Sequence, residues 1–133
     1  MKGLTIEAKT DNLDSVLNFI NEELEAVDYP IKLQMQVSIA VEEIFINIAC
    51  YAYSPEVGNV AICIAVKDEI FVEFMDKGKS YNPLETDNPD INLDIDERPI
   101  GGLGVFMAKQ MMDTVEYRRE DDKNILTMKK ALA

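Results

Sequence analysis

The sequence contains no histidine. That absence excludes a Ser-His-Asp triad, a metal site built on imidazole and phosphorylation on a histidine of this chain. Positive charge is scarce, 13 Lys and Arg against 25 Asp and Glu, for a net charge of −12. Recognition of a nucleic-acid backbone needs a surplus of Lys and Arg on one face, so no nucleic-acid partner is expected. Any anionic ligand must then be held by local donors. The two cysteines, Cys50 and Cys63, fall in a helical and a strand pattern without metal-ligand spacing, which predicts buried thiols rather than a disulfide or a zinc site. Long apolar runs are also missing. The longest, around Ile44-Phe45-Ile46, is interrupted by Asn47 and falls far short of a membrane span. Residues 1–7 lack the apolar centre of a signal peptide. A cytoplasmic protein with no membrane partner is therefore expected. What remains is 133 residues, 47% hydrophobic and 29% charged, which suit one globular domain over residues 1–133 rather than a disordered chain.

Leu4, Ile6 and Ala8 alternate with polar residues and predict a first strand. Asp11 is placed to cap the following helix, in which Leu13, Val16, Leu17, Ile20, Leu24 and Val27 recur at helical spacing. The opposite side, with Asp14, Asn18, Asn21, Glu22 and Glu25, reads as a solvated face. Pro30 suits the first turn of a central helix over residues 30–53, which Ser54-Pro55 ends. Two period-2 runs follow, from Val60 to Val66 and from Ile70 to Phe74, and predict a hairpin turning at Lys67-Asp68-Glu69. The small residues Ala61, Cys63 and Ala65 take the alternate face of its first strand, where something bulky can approach.

Periodicity is lost over residues 76–100, where Pro83, Pro89 and Pro99 are interspersed with Asn and Asp. A loop this long in a compact domain is either functional or disordered. Gly101-Gly102-Leu103-Gly104 then opens an apolar helix, and two last strands, residues 115–119 and 125–128, flank a turn at Asp121-Asp122-Lys123. The order predicts an α+β two-layer sandwich, a mainly antiparallel sheet covered on one face by three helices.

Three segments carry chemistry. Glu43 and Asn47 stand four residues apart, so on a helix they share one stripe, within an apolar surround where an unpaired polar group costs roughly 1–3 kcal/mol. They could bond to each other, to a neighbouring strand or to water. Asp76-Lys77-Gly78 leaves a strand, with the carboxylate at its end and a glycine that lets a ligand approach the backbone. Gly101-Gly102-Leu103-Gly104 sets unpaired amides at a helix N-terminus, where the dipole favours an anion. Each pattern alone is common in proteins that bind nothing.

In this order the set resembles the Bergerat-type (GHKL) ATP-binding fold, and within it the stand-alone anti-sigma-factor serine/threonine kinases. The first box, Glu-x-x-x-Asn with an Ala-Tyr tail, matches Glu43, Asn47 and Ala52-Tyr53; the second matches Asp76, Gly78, Tyr81, Asn82 and Pro83. The third, a lid Arg followed by a Gly-x-Gly helix start, matches Arg98, Gly102 and Gly104. The resemblance implies that Asn47 holds Mg²⁺ and that Glu43 is the general base. It implies that Asp76 accepts the adenine amino group, with Gly78, Tyr81 and Asn82 beside it and Asn124 on the adenine side. Residues 83–100 would form the ATP lid, with Arg98 on the γ-phosphate and the amides of Gly101, Gly102, Leu103, Gly104 and Val105 around the phosphates.

The implied activity is MgATP-dependent phosphorylation of Ser or Thr on a small STAS-like anti-sigma factor antagonist. A sigma factor and a second copy of the chain are further candidate partners. The sequence departs from the family pattern at Tyr51, where relatives of this type often carry His, and at Lys123-Asn124, which replaces Gly-Thr. A different class stays open: a module of the same fold that sequesters a partner, with or without nucleotide, and catalyses nothing.

Overall fold

The computed structural model describes residues 2–26, 30–49, 58–78 and 102–131, with side chains in the last segment described from residue 107 onward. Strand β1 (Lys2–Glu7) leads through a single 3-10 turn into helix α1 (Leu13–Glu25), followed by α2 (Ile31–Asn47). The hairpin β2 (Asn59–Val66) and β3 (Glu69–Asp76), helix α3 (Gly102–Met111) and the hairpin β4 (Thr114–Glu120) and β5 (Lys123–Ala131) complete the order. The five strands form one sheet in the order β1-β2-β3-β5-β4, every pair antiparallel. β5 thus inserts between β3 and β4. This is the two-layer sandwich expected from the pattern.

Alternation along the strands decides which residues meet the helices. Val60, Ile62 and Ile64 of β2, Ile70, Val72 and Phe74 of β3, and Leu126 and Met128 of β5 are all buried on that face. Against them pack Val16, Ile20 and Leu24 of α1 and the stripe Val37, Val41, Ile44 and Phe45 of α2. α2 in turn packs on both α1 and α3. The other sheet face carries Ala61, Cys63 and Ala65, as the alternation predicts, and Cys63 is a free thiol that is half-buried rather than buried as expected. The α3–β4 junction is tied to β5 by Lys130 Nζ, which donates to the Met111 carbonyl at 2.7 Å, and by the Ala131 amide, which donates to Asp113 Oδ2 at 2.6 Å. Lys130 therefore satisfies a carbonyl that the end of α3 leaves open.

Three local expectations are corrected. Asp11 does not cap α1, because it lies inside the 3-10 turn Thr10–Asn12, and the capping position falls to Asn12. Asn12 makes no side-chain cap bond; its Nδ2 donates backward to the Glu7 carbonyl at 2.9 Å, closing the loop against β1 instead. Pro30 precedes rather than begins α2, with an extended ψ of 136°. The last hairpin turns on two residues, not three: Glu120 pairs with Lys123, and Asp121 and Asp122 take left-handed φ values of 53° and 62°. Val27, Cys50, Tyr51, Ala52-Tyr53, Ser54-Pro55 and the loop of residues 79–100 lie outside the described residues.

Candidate functional site

The buried stripe of α2 ends on a polar residue. Ala40, Ile44 and Asn47 follow one another at helical spacing, so Asn47 is carried into the interior and is only 2% exposed. Its Nδ2 makes no hydrogen bond among the described residues. Glu43, one turn earlier on the same side, is half-buried. Burial raises its carboxyl above the ordinary range, and the neighbouring Glu42 carboxylate pushes in the same direction. Beyond Asn47 the helix widens into π-type geometry at Ile48 and Ala49, a distortion often found next to functional residues.

The second cluster is built where β3 ends beside β5. Register sets Asp76 opposite Asn124, and alternation turns both side chains to the helical face, where they are 5% and 6% exposed. Asp76 Oδ1 accepts two hydrogen bonds, from the Gly78 amide at 2.8 Å and from Asn124 Nδ2 at 2.9 Å. The first closes a turn of the kind aspartate makes with the backbone two residues on. Asn124 Oδ1 in turn accepts from the Tyr117 hydroxyl at 2.6 Å and from Arg119 Nη1 at 3.0 Å. Arg119 Nη1 also donates to the Gly78 carbonyl at 2.9 Å. Desolvation raises the Asp76 carboxyl above its usual range; the bonds from Asn124 and Gly78 and the charge of Arg119 oppose that rise.

The third cluster is the start of α3. Gly102, Leu103, Gly104 and Val105 occupy its first turn, where backbone amides have no partner within the helix. The structure therefore brings Glu43 and Asn47 together on α2, and Asp76, Gly78 and Asn124 together at the strand ends. α3 lies packed on α2. Tyr81, Asn82, Arg98 and Gly101 lie outside the described residues. Tyr117 and Arg119 are site residues that the sequence reading missed. A two-residue turn at Asp121-Asp122 was the available signal, since it alone sets Arg119 opposite Asn124.

A pocket of about 330 Å³ near Asp76 is lined by Thr5, Asn59, Ala61, Met75, Asp76, Lys77 and Lys123. Thr5, Ala61 and Met75 are register partners on the sheet face away from the helices. That pocket therefore opens on the opposite side from the Asp76 carboxylate and from Asn47, and is not the candidate site.

The sequence profile of the histidine kinase-like ATPase domain matches residues 6–130. The chain belongs to that family. Among curated relatives, the serine-protein kinase RsbW of Bacillus mycoides (strain KBAB4) is 27% identical over 96 residues, 68% of this chain and 60% of the relative. RsbW of Bacillus cereus (strain B4264) is 29% identical over the same coverage. This histidine kinase-like ATPase domain thus spans about 60% of the length of these relatives. A crystal structure of the RsbU and RsbW domains of a Mycobacterium tuberculosis protein superposes with a TM-score of 0.66 at 15% identity, covering 99% of this chain and 33% of that one. At such identity the likeness is one of fold.

Among the described residues of this ATPase domain there is no cluster of three or more His, Cys, Asp or Glu able to hold a metal ion. Mg²⁺ does not require one, because it keeps several waters and takes most of its remaining ligands from substrate phosphates. Asn47 does not conflict with such a metal: its Oδ1 is the kind of neutral oxygen that would hold the cation, while its buried Nδ2, without an acceptor among the described residues at a cost of about 1–3 kcal/mol, would take an acceptor beside it.

Proposed function

We propose that residues 1–133 are one histidine kinase-like ATP-binding domain of the anti-sigma-factor type, which binds MgATP and phosphorylates Ser or Thr of a small STAS-like antagonist in partner switching with a sigma factor. The observation that carries this reading is Asn47, buried one helical turn from Glu43 with its Nδ2 lacking a partner among the described residues. The family match over residues 6–130 supports the nucleotide, and the kinase relatives support the transfer.

In this reading Asp76 accepts an N–H of the base, the Gly78 turn admits it close to the backbone, and Asn124 borders it. The first-turn amides of α3, from Gly102 to Val105 with Gly101 before them, receive the phosphates, and Arg98 in the lid meets the γ-phosphate. Tyr81 and Asn82 flank the base-side turn. Asn47 would hold Mg²⁺, which supplies charge neutralisation at the triphosphate. Glu43 takes the proton from the Ser or Thr hydroxyl, whose oxygen bonds to the γ-phosphorus as the β–γ bridging bond breaks and ADP leaves. A carboxyl raised by burial is the stronger base at neutral pH, so the Glu43 environment suits that role. Among the described residues no helix is long and apolar enough to cross a membrane; a cytoplasmic location and a homodimer complete the proposal.

A second reading, partner sequestration without phosphorylation, is favoured by Ile31 and Met35, 74% and 60% exposed on α2. They border a groove of about 390 Å³ shared with Asn21 of α1, a surface of the kind that serves protein partners. Incubating the chain with γ-labelled ATP and a STAS-like antagonist separates the two. Label on the antagonist, lost in Glu43→Ala by about 10²–10⁴-fold, is expected of the kinase. Stable complex formation without label would leave only the sequestering module.

A further inference from the structure

We propose that Arg119, on edge strand β4, is a positioning residue that locks the base-recognition end of the site and restricts it to bases presenting an amino group. The inference rests on the reading that Asp76 faces the base of a nucleotide. It starts from an ambiguity in asparagine, whose carboxamide can offer either its oxygen or its nitrogen to a neighbour.

At Asn124 that ambiguity is removed from behind. The Tyr117 hydroxyl at 2.6 Å and Arg119 Nη1 at 3.0 Å both donate to its oxygen, so its nitrogen must face Asp76, at 2.9 Å from Oδ1. Turned over, the amide would set N–H groups against Arg119 and an oxygen against a carboxylate. The same Nη1 holds the Gly78 carbonyl at 2.9 Å while the Gly78 amide holds Asp76 Oδ1 at 2.8 Å. One guanidinium therefore fixes both the carboxamide and the turn. Both donors fall on one oxygen of Asp76, and in this proposal the other, Oδ2, takes the ligand.

A carboxylate held this way can only accept. It welcomes the N–H of a 6-aminopurine and repels the oxygen of a 6-oxopurine, because a buried polar group left unpaired rejects the analogue that lacks its partner. Without Arg119, Asn124 keeps only the Tyr117 hydroxyl behind it and the Gly78 turn loses its tie, so the carboxamide and the turn are held less firmly and discrimination between the two bases should fall.

The test is titration of MgATP and MgITP onto the full chain, its Arg119→Ala and Arg119→Lys variants, and Tyr117→Phe. The parent should prefer ATP. Arg119→Ala should lose roughly tenfold in ATP affinity, the scale of one charge-assisted hydrogen bond, with ITP nearly unchanged, so that the ratio collapses. Lys can donate to both carbonyl oxygens and should restore part of the ratio; Tyr117→Phe, which leaves Arg119 on Asn124, should lose less. A purely structural role would lower the melting temperature and leave the ATP-to-ITP ratio at the parent value in Arg119→Ala, and that result overturns the inference. Equal parent affinity for both nucleotides overturns it too, since Asp76 would then not select the base. A parent that binds neither nucleotide overturns the proposed function itself, whereas a normal parent with an unaltered ratio in the variants removes only the role of Arg119.

Discussion

On the proposed function, a single amide sets stability against function in this domain. Asn47 sits where the α2 stripe calls for an apolar residue, is 2% exposed, and its Nδ2 has no partner among the described residues. Asn47→Leu keeps the volume and removes the unpaired group, so it should stabilise the ligand-free protein by about 1–3 kcal/mol, read as a higher melting temperature, while abolishing magnesium-dependent nucleotide affinity. A variant melting below the parent would mean that Asn47 has a structural partner. Glu43 gives a pH signature. Its folded pKa lies above the ordinary value of 4.5, raised first by burial and then by Glu42. The folded state therefore holds that proton more tightly than the unfolded chain, and the associated stability is complete at low pH and lost as pH rises through the folded pKa. Glu43→Gln lacks this loss. Its melting temperature should match the parent below about pH 4 and exceed it increasingly towards pH 7; parallel curves across that range would contradict the shift.

At the level of the elements, the β4–β5 hairpin sets Arg119 and Tyr117 beside Asn124 in the candidate site. Asp121 and Asp122, at φ 53° and 62°, form the two-residue left-handed turn whose twist suits paired strands. Aspartate tolerates that region through its short polar side chain, and a β-branched residue does not. Asp122→Val should cost about 1–2 kcal/mol in a denaturant titration, and Asp122→Gly should cost nothing. The turn also sets the pairing of Arg119 with Asn124. A slip by one residue would carry Arg119 to the far face of the sheet. Asp122→Val should accordingly weaken nucleotide binding along with stability, although the residue lies outside the site; a melting loss with unchanged affinity would show that the register survives the strain.

Across the whole molecule the dominant quantity is charge. A net −12 on 133 residues makes the compact state repel itself, and the same field opposes the approach of a triphosphate. In the proposed reading the fold answers this locally, with Arg119 beside Asn124 at the base end and the first-turn amides of α3, which have no partner within the helix, at the phosphate end. Raising NaCl from about 10 mM to about 150 mM shortens the screening length from about 30 Å to about 8 Å, so the melting temperature should rise over that range. A fall would mean that specific ion pairs outweigh general repulsion. This is not expected, because pairs such as Arg118–Glu120, 56% and 60% exposed, contribute little.

Periodicity was sufficient for the architecture, since it reports which face of an element is apolar whatever that face later meets. The 3.6-residue stripe of α2 and the period-2 runs of β2 and β3 named the core, and the spacing of Glu43 with Asn47 placed the two on one side of α2. The three boxes from Glu43 to Gly104 named the family to which residues 6–130 belong. Pairing is another matter, because it depends on register between segments far apart in the chain. Asp76 meets Asn124 across 48 residues, and Arg119 reaches the Gly78 carbonyl across 41. No local pattern contains either distance. Asp11 looked like a cap because its type and position suited one; a 3-10 turn intervened, and the bond went from Asn12 to Glu7. Nor could composition show that Asn47 Nδ2 finds no partner among the described residues, for that depends on what the packing of the helices and the sheet leaves within reach of the side chain.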